Sequence, residues 1–297
     1  MNTDVFAAMQ RLGAELSPAV IEQTRALFTP LAPRLSGEIC RVERDIAYGP
    51  DVRHRLDVFH PPGAVASGKP VVVFVHGGGF VGGDKGGADA PFYNNVGVWA
   101  VQQGLIGVTL TYRLAPGAQW PAGAEDLASA VAWLGENIGR FGGSPERIFL
   151  MGQSAGAAHV ASYVAGHHGV PGAASAGSKV AGAIMLSGLY DILTLKHGPY
   201  EAAYYGADRS VYAERSALDG LIHTGLPCLY SVAELDPAVF QQQAGRLVEA
   251  YRAANGIWPR MLYLQGHNHL SPVMQIGSSI DTVGADLLHF IRRFSAS

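Results

Sequence analysis

Cysteine is nearly missing. Cys40 and Cys228 are the only two in 297 residues. They lie far apart, neither belongs to a metal-ligand spacing, and no disulfide framework is indicated. Charge is thin as well. Asp, Glu, Lys and Arg make up 15% of the chain and nearly cancel, leaving a net −3 with no basic run. A nucleic-acid binder or a polybasic membrane contact would need a concentration of positive charge, and there is none. Long apolar runs are absent too. The longest are strand length, short of the roughly 20 residues that cross a bilayer. The first ten residues carry Asp4, no basic start and no long apolar stretch, so no secretory signal is expected there. With no internal repeat and no second compositional block, the expectation is one cytoplasmic domain over residues 1–297.

Apolar residues are plentiful, at 48%. That is enough for one large core, in which a chain of this size buries about three quarters of its unfolded surface. Residues 1–37 read as helical, with Val5, Phe6, Met9 and Leu12 at helical spacing and Ser17-Pro18 as a helix start. Ile39 to Tyr48 and Arg53 to Phe59 alternate around Gly49-Pro50-Asp51, as an antiparallel hairpin at a sheet edge would. From Val71 onward, short continuous apolar runs alternate with helical segments. Val71–Val75, Ile106–Tyr112, Ile148–Met151, Val180–Leu186, Leu229–Leu235 and Met261–Leu264 read as strands. Residues 91–103, 121–141, 239–255 and 281–294 read as helices, 166–179 as a loop, and 190–225 as an irregular insertion above the sheet. Strands covered on both faces and alternating with helices specify a mostly parallel α/β sheet.

The sharpest motif is Gly152-Gln153-Ser154-Ala155-Gly156, directly after the apolar strand and before small helix-forming residues. Strand, sharp turn and helix are the context in which G-x-S-x-G holds a nucleophilic serine. Acyl transfer by Ser154 then requires oxyanion donors, a base and a group that orients the base. His76-Gly77-Gly78-Gly79-Phe80 also follows a strand. The N–H groups of Gly77 and Gly78, with Gly79 in reserve, join that of Ala155 as candidate donors. His76 reads as a brace for this loop rather than a base. For the acid, Asp236 stands at the end of a strand, just before Pro237. Asp191 is the runner-up and reads better as the cap of a short helix, while Glu234 is expected to point elsewhere. The base must follow the last strand, where spacing does not separate His267 from His269. His159, His167, His168, His197 and His223 read as structural or solvated. Phe80, Trp99, Tyr190, Tyr204 and Tyr205 are candidates either for a pocket wall or for core packing.

Four motifs stand in order: His76-Gly-Gly-Gly-Phe80, Tyr112-Arg-Leu-Ala-Pro116, Phe141-Gly-Gly143 and Gly152-Gln-Ser-Ala-Gly156. Together they resemble the hormone-sensitive-lipase-like carboxylesterases of the α/β-hydrolase superfamily, from about residue 40 to the C-terminus. The resemblance implies an α/β-hydrolase fold, with a central sheet of about eight strands, flanking helices and a small helical cap built partly from residues 1–37. It implies a serine esterase for short-chain carboxylic esters, with no cofactor and no metal, and a homodimer through the last strand and closing helix. It supports Asp236 through Glu234-Leu-Asp-Pro237, and leaves Tyr112 and Arg113 as structural braces. The chain departs from these esterases at Gln153, where Asp is usual, and at Leu270-Ser271 after the base. Gln153, Gly83-Asp84-Lys85 and Asn268-His269-Leu270 look more like the neighbouring kynurenine-formamidase-like branch. That likeness favours His269 over His267 and makes an arylformamidase or amidase the alternative activity.

Overall fold

The structure, a computed structural model, describes residues 2–63, 68–166, 180–196 and 198–295. The strands are β1 (Arg41–Ala47), β2 (Arg55–His60), β3 (Lys69–Val75), β4 (Ile106–Leu110), β5 (Gly143–Gln153), β6 (Val180–Leu186), β7 (Cys228–Leu235) and β8 (Met261–Asn268). They form one eight-stranded sheet in the order β1-β2-β4-β3-β5-β6-β7-β8. β1 pairs antiparallel with β2, and β2 with β4, so the expected hairpin does occupy an edge. All pairs from β4 to β8 are parallel.

The helices are α1 (Asn2–Leu12), α2 (Pro18–Phe28), α3 (Pro91–Gln102), α4 (Ala122–Asn137), α5 (Ala155–Ala165), α6 (Pro199–Tyr205), α7 (Tyr212–Arg215), α8 (Leu218–His223), α9 (Ala238–Asn255), α10 (Ser271–Met274) and α11 (Gly284–Ser295). Successive strand residues point to opposite faces, and both faces of the central strands are covered, which is why Val71–Val75 of β3 and all of β6 are apolar. Val71, Val73 and Val75 pack with Leu127, Leu134 and Val160 of α4 and α5. Val72 and Phe74 point to the other face, against Val96 and Trp99 of α3, in a cluster that also holds Leu287 and Phe290 of α11.

Differences from expectation have local causes. β5 begins at Gly143 rather than Ile148, because Lys69 already pairs with Gly143 before a register shift. The helix expected over 121–141 stops at Asn137, and a 3₁₀ turn over Ile138–Phe141 follows. Gly142 then reverses the chain at φ 86°, a left-handed conformation that glycine adopts without cost. β8 runs past Leu264 to Asn268 across a bulge, with Gly266 at φ 76°.

The N-terminal segment is helical as its spacing suggests. Ser17 caps α2 by accepting the N–H of Val20, with Pro18 in the first turn. Met9 and Phe28 pack with Phe92, Met274 and Ile280, beside the end of β8. Within 190–225 lie 3₁₀ turns and the short helices α6 to α8 rather than an irregular coil. Tyr204 and Tyr205 of α6 join Phe80, Ala155 and Ala158 in one apolar cluster above the carboxyl ends of β3 and β5. Of the loop expected over 166–179, residues 167–179, with His167 and His168, lie outside the described residues, as does His197. Among the described residues no helix is long and apolar enough to cross a membrane.

Candidate active site

Ser154 ends β5 and starts α5 at φ 58°, ψ −122°. A left-handed φ is unusual for a residue with a Cβ and costs about 1–3 kcal/mol, so the surroundings must impose it. Glycine on either side makes the turn fit. A Cβ on Gly152 would overlap the carbonyl of Gly156, and one on Gly156 would overlap the carbonyl of Val75. The second approach presses α5 against the end of β3, where His76-Gly77-Gly78-Gly79 begins. The N–H of Ser154 donates to Leu186 O at 2.9 Å, which ties the elbow to β6.

The glycine loop lies against the elbow. A Cβ on Gly77 would stand 3.2 Å from Ser154 Cβ. Gly78 and Gly79 take φ 132° and 59°, and Phe80 also turns left-handed at 69°. The N–H groups of Gly77 and Gly78 have no backbone acceptor among the described residues. That of Ala155, first in α5, has no acceptor within its own helix. His76 is buried, donates from Nδ1 to Gly77 O at 2.6 Å and stacks on Tyr112 at 4.3 Å. Burial pushes its pKa down to about 4, so it is neutral. The Tyr112 hydroxyl donates to His76 O at 2.8 Å. Arg113 pairs with Asp126 and Glu125 at 2.7 and 2.9 Å. His76, Tyr112 and Arg113 thus brace the loops.

On the far side, Asp236 is fully buried at the end of β7. Its Oδ1 accepts the Nδ1–H of His269 at 2.6 Å. Its Oδ2 accepts from Ser187 Oγ and from the Ala233 N–H, both at 2.7 Å. Three donors thus meet the two oxygens of this buried carboxylate. With Nδ1 carrying the proton, His269 Nε2 offers a lone pair. It is buried and has no hydrogen-bond partner among the described residues. The ring packs on Phe240 at 4.0 Å between centroids. This arrangement can take a proton and stabilise the imidazolium that results.

His267 is bound elsewhere. Its ring nitrogens meet Ser271 Oγ at 2.9 Å and Thr282 Oγ1 at 3.0 Å, and burial lowers its pKa to about 4. Glu234 turns away from the site and accepts the N–H of Gly266 at 2.6 Å. Asp191 precedes the 3₁₀ turn Ile192–Thr194, but its side chain makes no cap hydrogen bond. It faces Arg246 at 3.9 Å instead, so the cap expectation is corrected. Phe80, Trp99, Tyr190, Tyr204 and Tyr205 are all buried, as core residues are.

Two contributors escape a reading by motif. Ser187, at φ 49°, holds the Asp236 carboxylate, and its position just after β6 was the available signal. Gln153 donates from Nε2 to the His269 carbonyl at 2.9 Å. Among the described residues no group of three or more His, Cys, Asp or Glu side chains is arranged to hold a metal ion.

A model of the BD-FAE family matches residues 56–240, more than half of the chain. A probable isoprenylcysteine alpha-carbonyl methylesterase of Arabidopsis thaliana is 39% identical over 122 residues, which cover 41% of this chain and 27% of that protein. Carboxylesterase NlhH of Mycobacterium tuberculosis is 38% identical over 145 residues, 48% of this chain and 42% of the other. The chain therefore spans less than half the length of these curated relatives. Among solved structures, esterase B from Lactobacillus rhamnosis superposes with a TM-score of 0.75 at 17% identity, covering 99% of this chain and 96% of that one. A Pyrobaculum calidifontis esterase gives 0.69 at 20%, covering 98% and 97%. The fold is that of the α/β-hydrolases, with the expected eight-stranded, mostly parallel sheet.

Proposed function

The chain belongs to the BD-FAE family, and on that footing we propose that it is a serine carboxylesterase acting on short-chain carboxylic esters. The observation that carries the proposal is the 2.6 Å Asp236–His269 pair, whose free Nε2 belongs to a loop tied to the strained Ser154 elbow. Ser154 Oγ attacks the ester carbonyl while His269 Nε2 takes its proton. Asp236 keeps the imidazole oriented and stabilises its charged form. The N–H groups of Gly77, Gly78 and Ala155 receive the negative charge on the tetrahedral oxygen. The alcohol leaves with the proton from His269, and water repeats the sequence on the acyl-enzyme to release the acid.

Ester hydrolysis is preferred to the N-formyl amide alternative because the relatives above carry esterase names. We read residues 1–297 as one domain, with 1–37 and 190–225 as its cap. Support comes from their packing beside the end of β8 and over Phe80. A cytoplasmic location accords with two buried free thiols, Cys40 and Cys228. A homodimer through β8 and α11 accords with the exposure of Trp258 and Tyr263 at that edge, 64% and 65%, and light scattering would read it directly.

The activity is tested with a panel of p-nitrophenyl acetate, butyrate, octanoate and palmitate beside N-formylkynurenine, with Ser154→Ala as the blank. Hydrolysis that falls with acyl length and is lost in the variant is expected. Dominant deformylation, or ester turnover that survives in Ser154→Ala, would overturn the proposal.

A further inference from the structure

Gln153 stands at the meeting point of three separate elements. It is the last residue of β5 and 2% exposed. Its Nε2 donates to the backbone carbonyl of His269 at 2.9 Å. Its Oε1 lies against the glycine loop, where a Cβ on Gly77 would be 2.7 Å away. One side chain therefore touches the base loop and the donor loop, and belongs to the elbow.

The sheet makes such a tie necessary. Ser154 follows β5 and His269 follows β8, with β6 and β7 between them. At about 4.8 Å per strand, β5 and β8 stand roughly 14 Å apart, so the loop after β8 has to reach back across two strands to bring its imidazole to Ser154. Its other attachments do not do this. Asn268 Oδ1 accepts the N–H groups of Leu270 and Ser271, which holds the loop to itself. Asn268 Nδ2 donates to Thr24 of α2. Asp236 orients the ring from the end of β7, and among the described residues it does not touch the elbow residue's side chain.

The chemistry also requires a donor here. A carbonyl oxygen only accepts, so its partner must donate. A carboxylate would set acceptor against acceptor in a buried place, which is unfavourable. We infer that Gln153 is a positioning residue: its N–H holds the His269 backbone to the nucleophile elbow while its carbonyl oxygen seats Gly77, so that nucleophile, base and one oxyanion donor share an anchor. This rests on the esterase reading above.

Wild type, Ser154→Ala, Gln153→Met and Gln153→Glu are compared for kcat and KM on p-nitrophenyl butyrate across pH, with thermal unfolding of each. Met keeps the length and loses the donor. Its kcat is expected to fall roughly 10- to 100-fold, with KM within about twofold and unfolding still cooperative. Glu loses the donor when ionised and regains one when protonated, so its activity relative to Gln153→Met should rise as pH falls. A residue that merely fills space would leave kcat unchanged in the Met variant and that ratio flat in pH, and either result overturns the inference. If Gln153→Met does not fold, the ratio of Gln153→Glu to wild type against pH decides in the same way. An inactive wild type, or an active Ser154→Ala, sinks the esterase reading itself and is distinct from both.

Discussion

A single methyl group at Gly77 separates the proposed oxyanion donors from a mere glycine turn. Gly77 does not need a left-handed backbone, so Gly77→Ala brings contact rather than strain. The new Cβ meets Gln153 Oε1 at 2.7 Å, Gln153 O at 3.1 Å and Ser154 Cβ at 3.2 Å. The first neighbour is the end of a side chain and can yield. The other two are backbone and nucleophile, so the donor loop must draw back from the elbow. Loss of one oxyanion donor costs about 2.7–4 kcal/mol of barrier, or 10²–10³ in kcat, and a displaced donor should sit near the lower figure. Gly77→Ala is thus expected to lower kcat about 100-fold on p-nitrophenyl butyrate while urea unfolding stays cooperative. Gly78 makes a useful contrast. At φ 132°, with a Cβ overlapping Gly82 O, its substitution should damage folding itself. A folded Gly77→Ala enzyme with kcat within about threefold of wild type would remove this loop from the oxyanion account.

Two further outcomes follow from the buried polar groups. His76, His159 and His267 have pKa values pushed down by burial to about 4, about 3 and about 4. Their folded forms refuse a proton that the unfolded chain takes at about 6.5, so stability is full above that pH and is lost as pH falls toward 4. At pH 5 each should cost about 2 kcal/mol, together a large part of the stability of an ordinary domain. Urea midpoints at pH 7.5 and 5 test this, and equal midpoints would contradict the neutral, buried assignment. Ser187→Ala removes one of two donors to Asp236 Oδ2, the other being the Ala233 N–H. A drop of about 1–3 kcal/mol in stability is expected, with a several-fold loss of kcat and little change in KM. Unchanged kcat would make Ser187 a bystander.

Much of the molecule was legible where one physical rule dominated. Val71 to Val75 is apolar at every position because both faces of β3 are covered, and the run declares this without help from distant residues. Ser154 and its glycines are equally local, since the turn itself demands them. The place of Asp236 after β7 was reachable because a strand's end is a fixed point of the architecture. What stayed hidden depends on partners far along the chain. His267 and His269 have the same local spacing. The difference is made by Ser271 and Thr282 around the first and by Asp236 beside the second. The helices within 190–225 are too short to show a period and are held by tertiary contacts, such as Tyr204 stacked on Phe80 at 4.6 Å. Gln153 looked like a departure from the esterase pattern, and only its distance to the His269 carbonyl gives it a task.

The central claim is that Ser154 is the nucleophile served by His269. Its most direct test is intact-protein and peptide mass spectrometry after reaction with a p-nitrophenyl alkylphosphonate. One adduct per chain on Ser154 is predicted, with one equivalent of p-nitrophenol released, labelling abolished in Ser154→Ala and strongly slowed in His269→Ala. An adduct on another residue, or ester hydrolysis that continues with Ser154 unlabelled, would contradict it.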